Sequence, residues 1–101
     1  MAERRRGLVT HSRPSARGTI ITMSGSLDEA TSAMAEWYLG SELDAARGDV
    51  IFDLRSLHVD VPSGLQLLVR AHRHLAVQGR RAIFEGLFGG IERQLQALPA
   101  H

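Results

Sequence analysis

The feature that most constrains the fold is the apolar run Val50-Ile51-Phe52, which is framed by Asp49 and Asp53. A short run of β-branched and aromatic residues indicates a strand that is buried on both faces. The next segment, residues 62–78, repeats apolar residues at helical spacing and begins with Pro62, which suits the first helical position. A buried strand followed by an amphipathic helix predicts an α/β fold with parallel strands.

Apolar segments on both sides of this unit extend the alternation of strands and helices. β-branched residues between glycines predict a strand over residues 18–25, and another apolar run predicts a strand over residues 80–87. Helices are expected over residues 28–47 and 91–98, and residues 8–11 are compatible with an edge strand. The predicted order is β-β-α-β-α-β-α. It implies a mixed sheet of about four strands with helices mainly on one face.

Composition narrows the classes of protein that this chain can be. Its 101 residues suit a single domain, with residues 1–17 as a basic N-terminal segment and residues 18–98 as the folded unit. The formal net charge of +1 gives no overall field that favours nucleic acid. The sequence has no cysteine for a disulfide, and no run of about 18 apolar residues that would span a membrane. A cytoplasmic protein is expected.

The predicted first helix has an apolar face. Either Asp28 or Ser26 is a suitable N-cap for it. Apolar residues then follow at helical spacing, namely Ala30, Ala33, Met34, Trp37 and Tyr38. This spacing predicts that the two aromatic side chains pack in the core or at an interface, and Gly40 is expected to weaken the middle of the helix.

Three aspartates are the main candidates for catalytic or metal-binding chemistry. Asp28, Asp53 and Asp60 lie near predicted strand ends, where sites form in open α/β sheets. If they meet in space, their carboxylates would suit acid–base catalysis or a Mg²⁺ ion. However, the sequence has neither a glycine-rich phosphate loop nor a lysine. A small metal-dependent enzyme is therefore a remote alternative, and no cofactor or metal is expected.

The start of the predicted second helix is the best candidate for a binding surface. A helix N-terminus exposes unpaired N–H groups and a partial positive charge, which suit a phosphate or a partner's carboxylate. Ser63 lies at this tip. Its hydroxyl has two interpretations: a hydrogen bond within the first helical turn, which is favoured, or a site of phosphorylation.

Three motifs resemble those of STAS domains, the fold shared by sulfate-transporter C-terminal domains and anti-sigma factor antagonists. Ser24-Gly25-Ser26-Leu27-Asp28 resembles the entry into the first helix of that family. Val50-Ile51-Phe52-Asp53-Leu54 resembles its central strand, and Val61-Pro62-Ser63-Gly64-Leu65 resembles the tip of its second helix. The order and spacing of the motifs make the resemblance specific. It covers residues 18–98 and implies the same β-β-α-β-α-β-α fold.

The resemblance also implies a function. Anti-sigma factor antagonists are non-catalytic regulators that bind a serine kinase, itself an anti-sigma factor, and so free the sigma factor; phosphorylation of the antagonist blocks binding. The implied partner-binding residues are Gly25, Ser26, Asp28, Val61, Pro62, Ser63 and Gly64. An anti-sigma factor of the serine-kinase type is the implied partner. A weak homodimer is a further expectation, without direct nucleic-acid binding or membrane insertion.

The sequence departs from the family pattern at the regulatory position. The phosphorylated serine of the family aligns with Pro62, which has no hydroxyl, and the acidic residue before it aligns with Val61. Ser63 matches the second serine of the motif, and Asp28 matches the acidic residue beside the phosphorylation site. The leading hypothesis is an antagonist that binds its partner constitutively. The others are phosphorylation at Ser63 and, as runner-up, a STAS subunit of a lipid-transport complex or larger signalling assembly.

Overall fold

Alternating strands and helices make up the part of the chain that the structure, a computed structural model, describes: residues 7–60, 63–87, 93 and 95. The elements are β1 (Leu8–Ser15), β2 (Gly18–Leu27), α1 (Glu29–Ala45), β3 (Val50–Val59), α2 (Ser63–Val77) and β4 (Ala82–Glu85). This order confirms the predicted β-β-α-β-α-β succession. The predicted third helix, residues 91–98, lies outside the described residues except for Arg93 and Leu95. Neither described helix is long and apolar enough to cross a membrane.

The four strands form one mixed sheet in the order β1-β2-β3-β4. β1 pairs with β2 in antiparallel orientation, whereas β2, β3 and β4 are parallel neighbours. Parallel neighbours need crossover connections, which α1 and α2 provide. Because right-handed crossovers that advance in one direction lie on the same side, both helices cover one face of the sheet. The prediction of a mixed sheet with helices mainly on one face is confirmed.

The hydrophobic core lies between this face of the sheet and the two helices. Ile21, Phe52 and Phe84 occupy neighbouring positions on β2, β3 and β4, and all three are fully buried. The rings of Phe52 and Phe84 stack, with centroids 5.1 Å apart and planes inclined by 15°. The helices cover these rings with a layer of leucines that comprises Leu39, Leu43, Leu67, Leu68 and Leu75. The apolar run that begins at Val50 is thus the central strand of the core, as its composition indicates.

β1 and β3 are both longer than the sequence pattern predicts. The pattern ends the central strand near Leu54, but β3 continues to Val59 and pairs with β2 again after a register shift. The second half of β3 contains exposed polar residues, so it does not form the apolar run that predicts a strand. β1 continues through Pro14 to Ser15, where a turn was predicted. An edge strand tolerates proline because one side of it has no neighbouring strand.

The buried face of α1 differs from the predicted one. Its core residues repeat at intervals of four and are Thr31, Ala35, Leu39 and Leu43. Trp37 is 76% exposed and Met34 is 51% exposed, while Tyr38 packs against the edge of the core. Of the two predicted alternatives for Trp37, a core position is excluded and packing at an interface stays a prediction. Apolar residues surround α1, so their spacing does not select one face. Gly40 does not interrupt the helix.

Arg80 closes the C-terminal end of α1, which has no basic residue in its last turn. Its guanidinium donates to the carbonyl oxygens of Leu43 (3.0 Å), Ala46 (3.0 Å) and Gly48 (2.8 Å). A cation at this point pairs with the partial negative charge of the helix end and satisfies carbonyls that have no partner within the helix. The segment that leads into β4 thereby holds α1 against the sheet.

Candidate functional site: the α2 N-terminus and the ends of β2 and β3

Residues from three separate segments meet at one end of the sheet. Gly25 and Ser26 lie at the end of β2, Asp28 precedes α1, and Ser63 and Gly64 begin α2. Since β2 and β3 are parallel, their C-terminal ends lie at the same edge, where α1 and α2 both begin. Five of the seven predicted binding residues are therefore brought together. The other two, Val61 and Pro62, lie outside the described residues.

The carbonyl oxygen of Leu27 is the point where these segments touch. It accepts a hydrogen bond from the Asp60 N–H at 3.0 Å, which joins the end of β2 to the exit of β3. Gly64 packs against the same oxygen so closely that a Cβ at this position would overlap it, and would lie only 3.0 Å from Cγ1 of Val59. The first turn of α2 therefore rests directly on the backbone of β2, and glycine is the residue that permits this contact.

The N-terminus of α2 is less open to an anion than the sequence suggests. The carbonyl oxygen of Asp60 accepts hydrogen bonds from the N–H groups of Gly64 (2.9 Å) and Leu65 (3.2 Å). These two donors are thus already paired, and the expectation of unpaired N–H groups at this tip is wrong for them. α2 has no acidic residue in its first turn, so its partial positive charge has no carboxylate there to offset it.

Asp28 is the N-cap of α1, which selects it over Ser26, the other predicted candidate. Its Oδ1 accepts from the Thr31 N–H at 3.1 Å, and Thr31 Oγ1 accepts from the Asp28 N–H at 3.0 Å, which completes a capping box. The Thr31 hydroxyl also donates to the Ser26 carbonyl at 2.8 Å. Thr31 therefore fixes both Ser26 and Asp28, a role that the spacing of aspartate and threonine three residues apart could have revealed.

Gly25 has a backbone conformation that favours glycine, with φ of +99°. A Cβ at this position would also overlap the carbonyl oxygen of Gly7, and the same oxygen accepts from the Ser26 N–H at 3.2 Å. The residue that precedes β1 therefore packs on the end of β2. This contact holds the Gly25-Ser26 part of the site in one conformation.

Ser63 occupies the first position of α2 and is half-buried. Its side chain makes no hydrogen bond with another described residue, whereas the preferred interpretation of the sequence has it hydrogen-bonded in the first turn. The main-chain oxygen of Asp60 performs that capping function instead. The predicted hydrogen bond of the Ser63 hydroxyl within the first turn is therefore not found among the described residues.

His58 and Asp60 form a pair at the rim of the site that sequence inspection missed. Nε2 of His58 lies 3.1 Å from Oδ1 of Asp60, and both side chains are exposed. His58 lies opposite Ser26 in the register of β2 and β3. The signal in the sequence is the spacing of two residues at a strand exit, which directs neighbouring polar side chains to the same side.

The three aspartates of the metal hypothesis do not form a ligand set. Asp28 caps α1, Asp60 pairs with His58, and Asp53 accepts two hydrogen bonds from the Arg55 guanidinium at 2.9 and 2.8 Å. These bonds from Arg55 lower the pKa of Asp53 below its ordinary value. Within residues 7–60, 63–87, 93 and 95, no group of three or more His, Asp or Glu side chains is arranged to hold a metal ion. The condition for the remote metal-dependent alternative, that these three carboxylates meet in space as a ligand set, is not met among the described residues.

Comparison with known proteins identifies the fold. No family model matches the sequence, and no curated protein matches it. Among solved structures, the STAS domain of an anti-sigma factor antagonist from Rhodobacter sphaeroides is similar, with a TM-score of 0.64 and 22% sequence identity. That similarity covers 78% of this chain and 86% of the other.

A second solved structure is similar over more of the chain. The anti-sigma factor antagonist SpoIIAA in its unphosphorylated form has a TM-score of 0.69 and 18% identity, and the similarity covers 90% of this chain and 84% of SpoIIAA. At these identities the comparison identifies the fold. The chain therefore has the fold of a STAS domain, and the resemblance noted from the three sequence motifs is confirmed at that level.

Proposed function

We propose that this protein is a non-catalytic, cytoplasmic regulator that binds a partner protein in the manner of an anti-sigma factor antagonist. The observation that carries the proposal is the STAS fold, which two anti-sigma factor antagonists share with this chain. It is supported by the meeting of the motif residues from β2, α1 and α2 at one end of the sheet. The proposed partner is an anti-sigma factor of the serine-kinase type.

The proposed contact surface comprises Gly25, Ser26, Asp28, Ser63 and Gly64 together with the adjoining Val61 and Pro62. Its described part is held by main-chain hydrogen bonds at Leu27 and Asp60 and by the Asp28–Thr31 capping box. A surface that is ordered before binding loses little conformational entropy when a partner docks. This rigidity suits a protein whose recognition surface is largely backbone and short side chains.

We further propose that binding is constitutive. Pro62 has no hydroxyl to accept a phosphate at the position where the family resemblance implies the regulatory serine, and Val61 replaces an acidic residue. Ser63 is the nearest alternative, since this residue is only half-buried and its hydroxyl has no hydrogen-bond partner among the described residues. A phosphate on Ser63 would add about two negative charges at the contact surface and would weaken an interface formed without it.

The experiment that tests the proposal starts with capture of the partner from the source cells on immobilised protein and its identification by mass spectrometry. Recovery of a histidine-kinase-like ATPase supports the proposal, whereas recovery of transporter subunits alone would favour the lipid-transport alternative. Calorimetric titration with the purified partner then locates the surface. Ser63→Glu is expected to weaken binding at least about tenfold. Ala16→Glu, at the exposed β1–β2 turn on the opposite end of β2, is the matched control and should bind as wild type.

Phosphorylation is tested separately, by incubation with the partner kinase and Mg-ATP and by the intact mass of the product. The proposal expects no phosphate on the wild-type chain. Stoichiometric phosphate that disappears in Ser63→Ala would overturn constitutive binding and would leave the partner assignment intact.

A further inference from the structure

The two helices carry opposite charges. α1 contains four acidic residues and no basic one, whereas α2 contains two arginines and two histidines and no acidic residue. The helices pack side by side on the same face of the sheet. Glu42 bonds Ser12 of β1, which leaves Glu29, Glu36 and Asp44 as the exposed acidic residues of α1. The outer surface that the helices form therefore has an acidic half and a basic half, with the boundary along the line where the helices meet.

An apolar groove follows this boundary. Its volume is about 420 Å³, and its floor consists of Leu39, Leu43, Leu67 and Ala71. Gly40 lies on the α1 side, where a Cβ would meet no other atom within 4 Å, so the groove is open to solvent above it.

One ion pair and one histidine–aspartate hydrogen bond cross the groove between the helices. Arg70 Nη1 lies 2.8 Å from Glu36 Oε2, and His74 Nε2 lies 3.0 Å from Asp44 Oδ1. All four side chains are well exposed, so each pair contributes little to the stability of the monomer. The same exposed side chains can therefore also contact charged groups of a second molecule. Arg73, also on the rim of the groove, has no acidic partner among the described residues.

Large apolar side chains are exposed on both helices, and one of them, Val77, lines the groove. Trp37 of α1 is 76% exposed on the side of the helix opposite its buried residues, and Val77 of α2 is 83% exposed. Met34, one turn before Trp37, is 51% exposed. Tryptophan is the aromatic residue with the most apolar area to bury, and it is enriched at the centres of protein interfaces. This outer face of α1 and α2, which we call the helix face, has the composition of an interface.

We propose that a second copy of this chain docks on the helix face, about a twofold axis that runs along the groove. The charge distribution selects this occupant and this axis. Rotation about an axis parallel to the helices places α1 of each copy against α2 of the other, so that acidic and basic halves meet twice. Rotation about an axis across the helices would place α1 on α1 and α2 on α2, which opposes like charges.

The dimensions of the helix face indicate a weak dimer. Helices of 17 and 15 residues are about 25 and 22 Å long, and two adjacent helices are about 20 Å wide, which gives roughly 500 Å² of covered surface per copy. The total of roughly 1,000 Å² lies at the lower end of specific interfaces. An interface of this size is typical of weak, transient association, so the dimer should dissociate on dilution within the concentration range of sedimentation experiments.

The sole tryptophan provides a direct measurement of docking. On dilution of the wild-type protein from about 1 mM to about 1 μM, sedimentation velocity should change from dimer to monomer and Trp37 emission should shift to longer wavelength. Raising NaCl from about 0.05 to 0.5 M should weaken association about tenfold, because exposed charges are screened. Monomer at about 1 mM in low salt, with emission unchanged by dilution, would overturn the proposal and would leave this face to a different partner.

Charge reversal tests the axis. Arg73→Glu makes the exposed α2 surface more acidic, and Glu36→Arg makes the α1 surface more basic, so each variant alone opposes like charges twice in the dimer. Each is expected to dimerise at least about tenfold more weakly than wild type. An equimolar mixture of the two should associate as tightly as wild type, because the acidic and basic halves again match.

The matched control is Arg13→Glu, with the same change of charge as Arg73→Glu. The hydroxyl of Ser12 bonds Glu42 of α1, so the Ser12 side chain lies on the helix side of β1. Successive side chains of a strand point to opposite faces, so Arg13 lies on the face of the sheet opposite the helices. It should dimerise as wild type. If the two reversed variants dimerise normally, or if their mixture does not recover, the proposed axis is wrong. This outcome does not bear on the proposed regulatory function, which rests on the ends of β2 and β3 and the N-terminal tips of the helices.

Discussion

Substitution of Gly64 by alanine tests whether the first turn of α2 truly rests on the backbone of β2. Gly64 does not have a positive φ, so alanine is compatible with its backbone conformation and only the added methyl group matters. That methyl group would lie well inside 3.0 Å of the Leu27 carbonyl oxygen and 3.0 Å from Val59 Cγ1. Since the Leu27 oxygen also accepts from the Asp60 N–H, its displacement would stretch a second contact.

The expected cost follows from three contributions. Overpacking against atoms that cannot move freely costs about 1–3 kcal/mol. A weakened hydrogen bond between Asp60 and Leu27 adds about 0.5–1.5 kcal/mol. Alanine recovers about 0.5–1 kcal/mol relative to glycine in a helix, because it restricts the unfolded chain. The free energy of unfolding of Gly64→Ala should therefore lie about 2 kcal/mol below that of wild type.

Gly40→Ala is the matched control, because Gly40 also lies in a helix but its Cβ would meet no atom within 4 Å. This variant should gain about 0.5–1 kcal/mol. Urea unfolding followed by circular dichroism measures both changes, and thermal melting should show a fall of about 8–16 °C for Gly64→Ala. If Gly64→Ala is as stable as Gly40→Ala, the close contact with Leu27 does not exist and the proposed rigidity of the site is refuted.

Three further predictions concern the ends of α1 and the open face of the sheet. Arg80→Met should lower the free energy of unfolding by about 2 kcal/mol, since three carbonyls lose a charged donor, and Arg80→Lys should recover only part in urea unfolding. Asp28→Ala should lower the free energy of unfolding by about 1 kcal/mol and Asp28→Asn by much less, because asparagine still accepts from the Thr31 N–H. Equal losses of the two variants in urea unfolding would contradict the capping role. The hydrogen bonds from Arg55 lower the pKa of Asp53. The ionised Asp53 side chain therefore stabilises the folded protein above the ordinary pKa of 3.8, and this stabilisation is lost as the pH falls through the lowered value. Asp53→Asn should therefore flatten the decline in urea midpoint below about pH 4, and an unchanged profile would argue against it.

The order of the elements could be read from the sequence because each depends on local properties. The β-branched runs at residues 18–25 and 49–54, the proline and glycine boundaries and the helical spacing after Ser63 all concern neighbours in the chain. These same segments contain the motifs that resemble STAS domains, so the fold could be inferred from them as well. The mixed sheet follows from chain connectivity, since crossover helices require parallel neighbours.

Features that depend on contacts between distant segments could not be read in this way. Thirty-four residues separate the carbonyl of Ala46 from Arg80, which closes α1, and no local pattern links them. The buried face of α1 was misjudged because its apolar residues are distributed around the helix, and only the position of the sheet decides that Trp37 faces outward. The extension of β3 to Val59 likewise depends on pairing with β2.

The tip of α2 also combines features that follow from the local sequence with features that depend on tertiary packing. The sequence alone determined that a helix begins near Ser63, that Pro62 cannot be phosphorylated and that Gly64 follows. Only the tertiary structure decided how that tip is built: the Asp60 carbonyl occupies two of its N–H groups, and Gly64 packs on Leu27. The physical reason is that main-chain groups are the same in every residue, so their partners are selected by how the segments pack and leave no trace in the order of side chains.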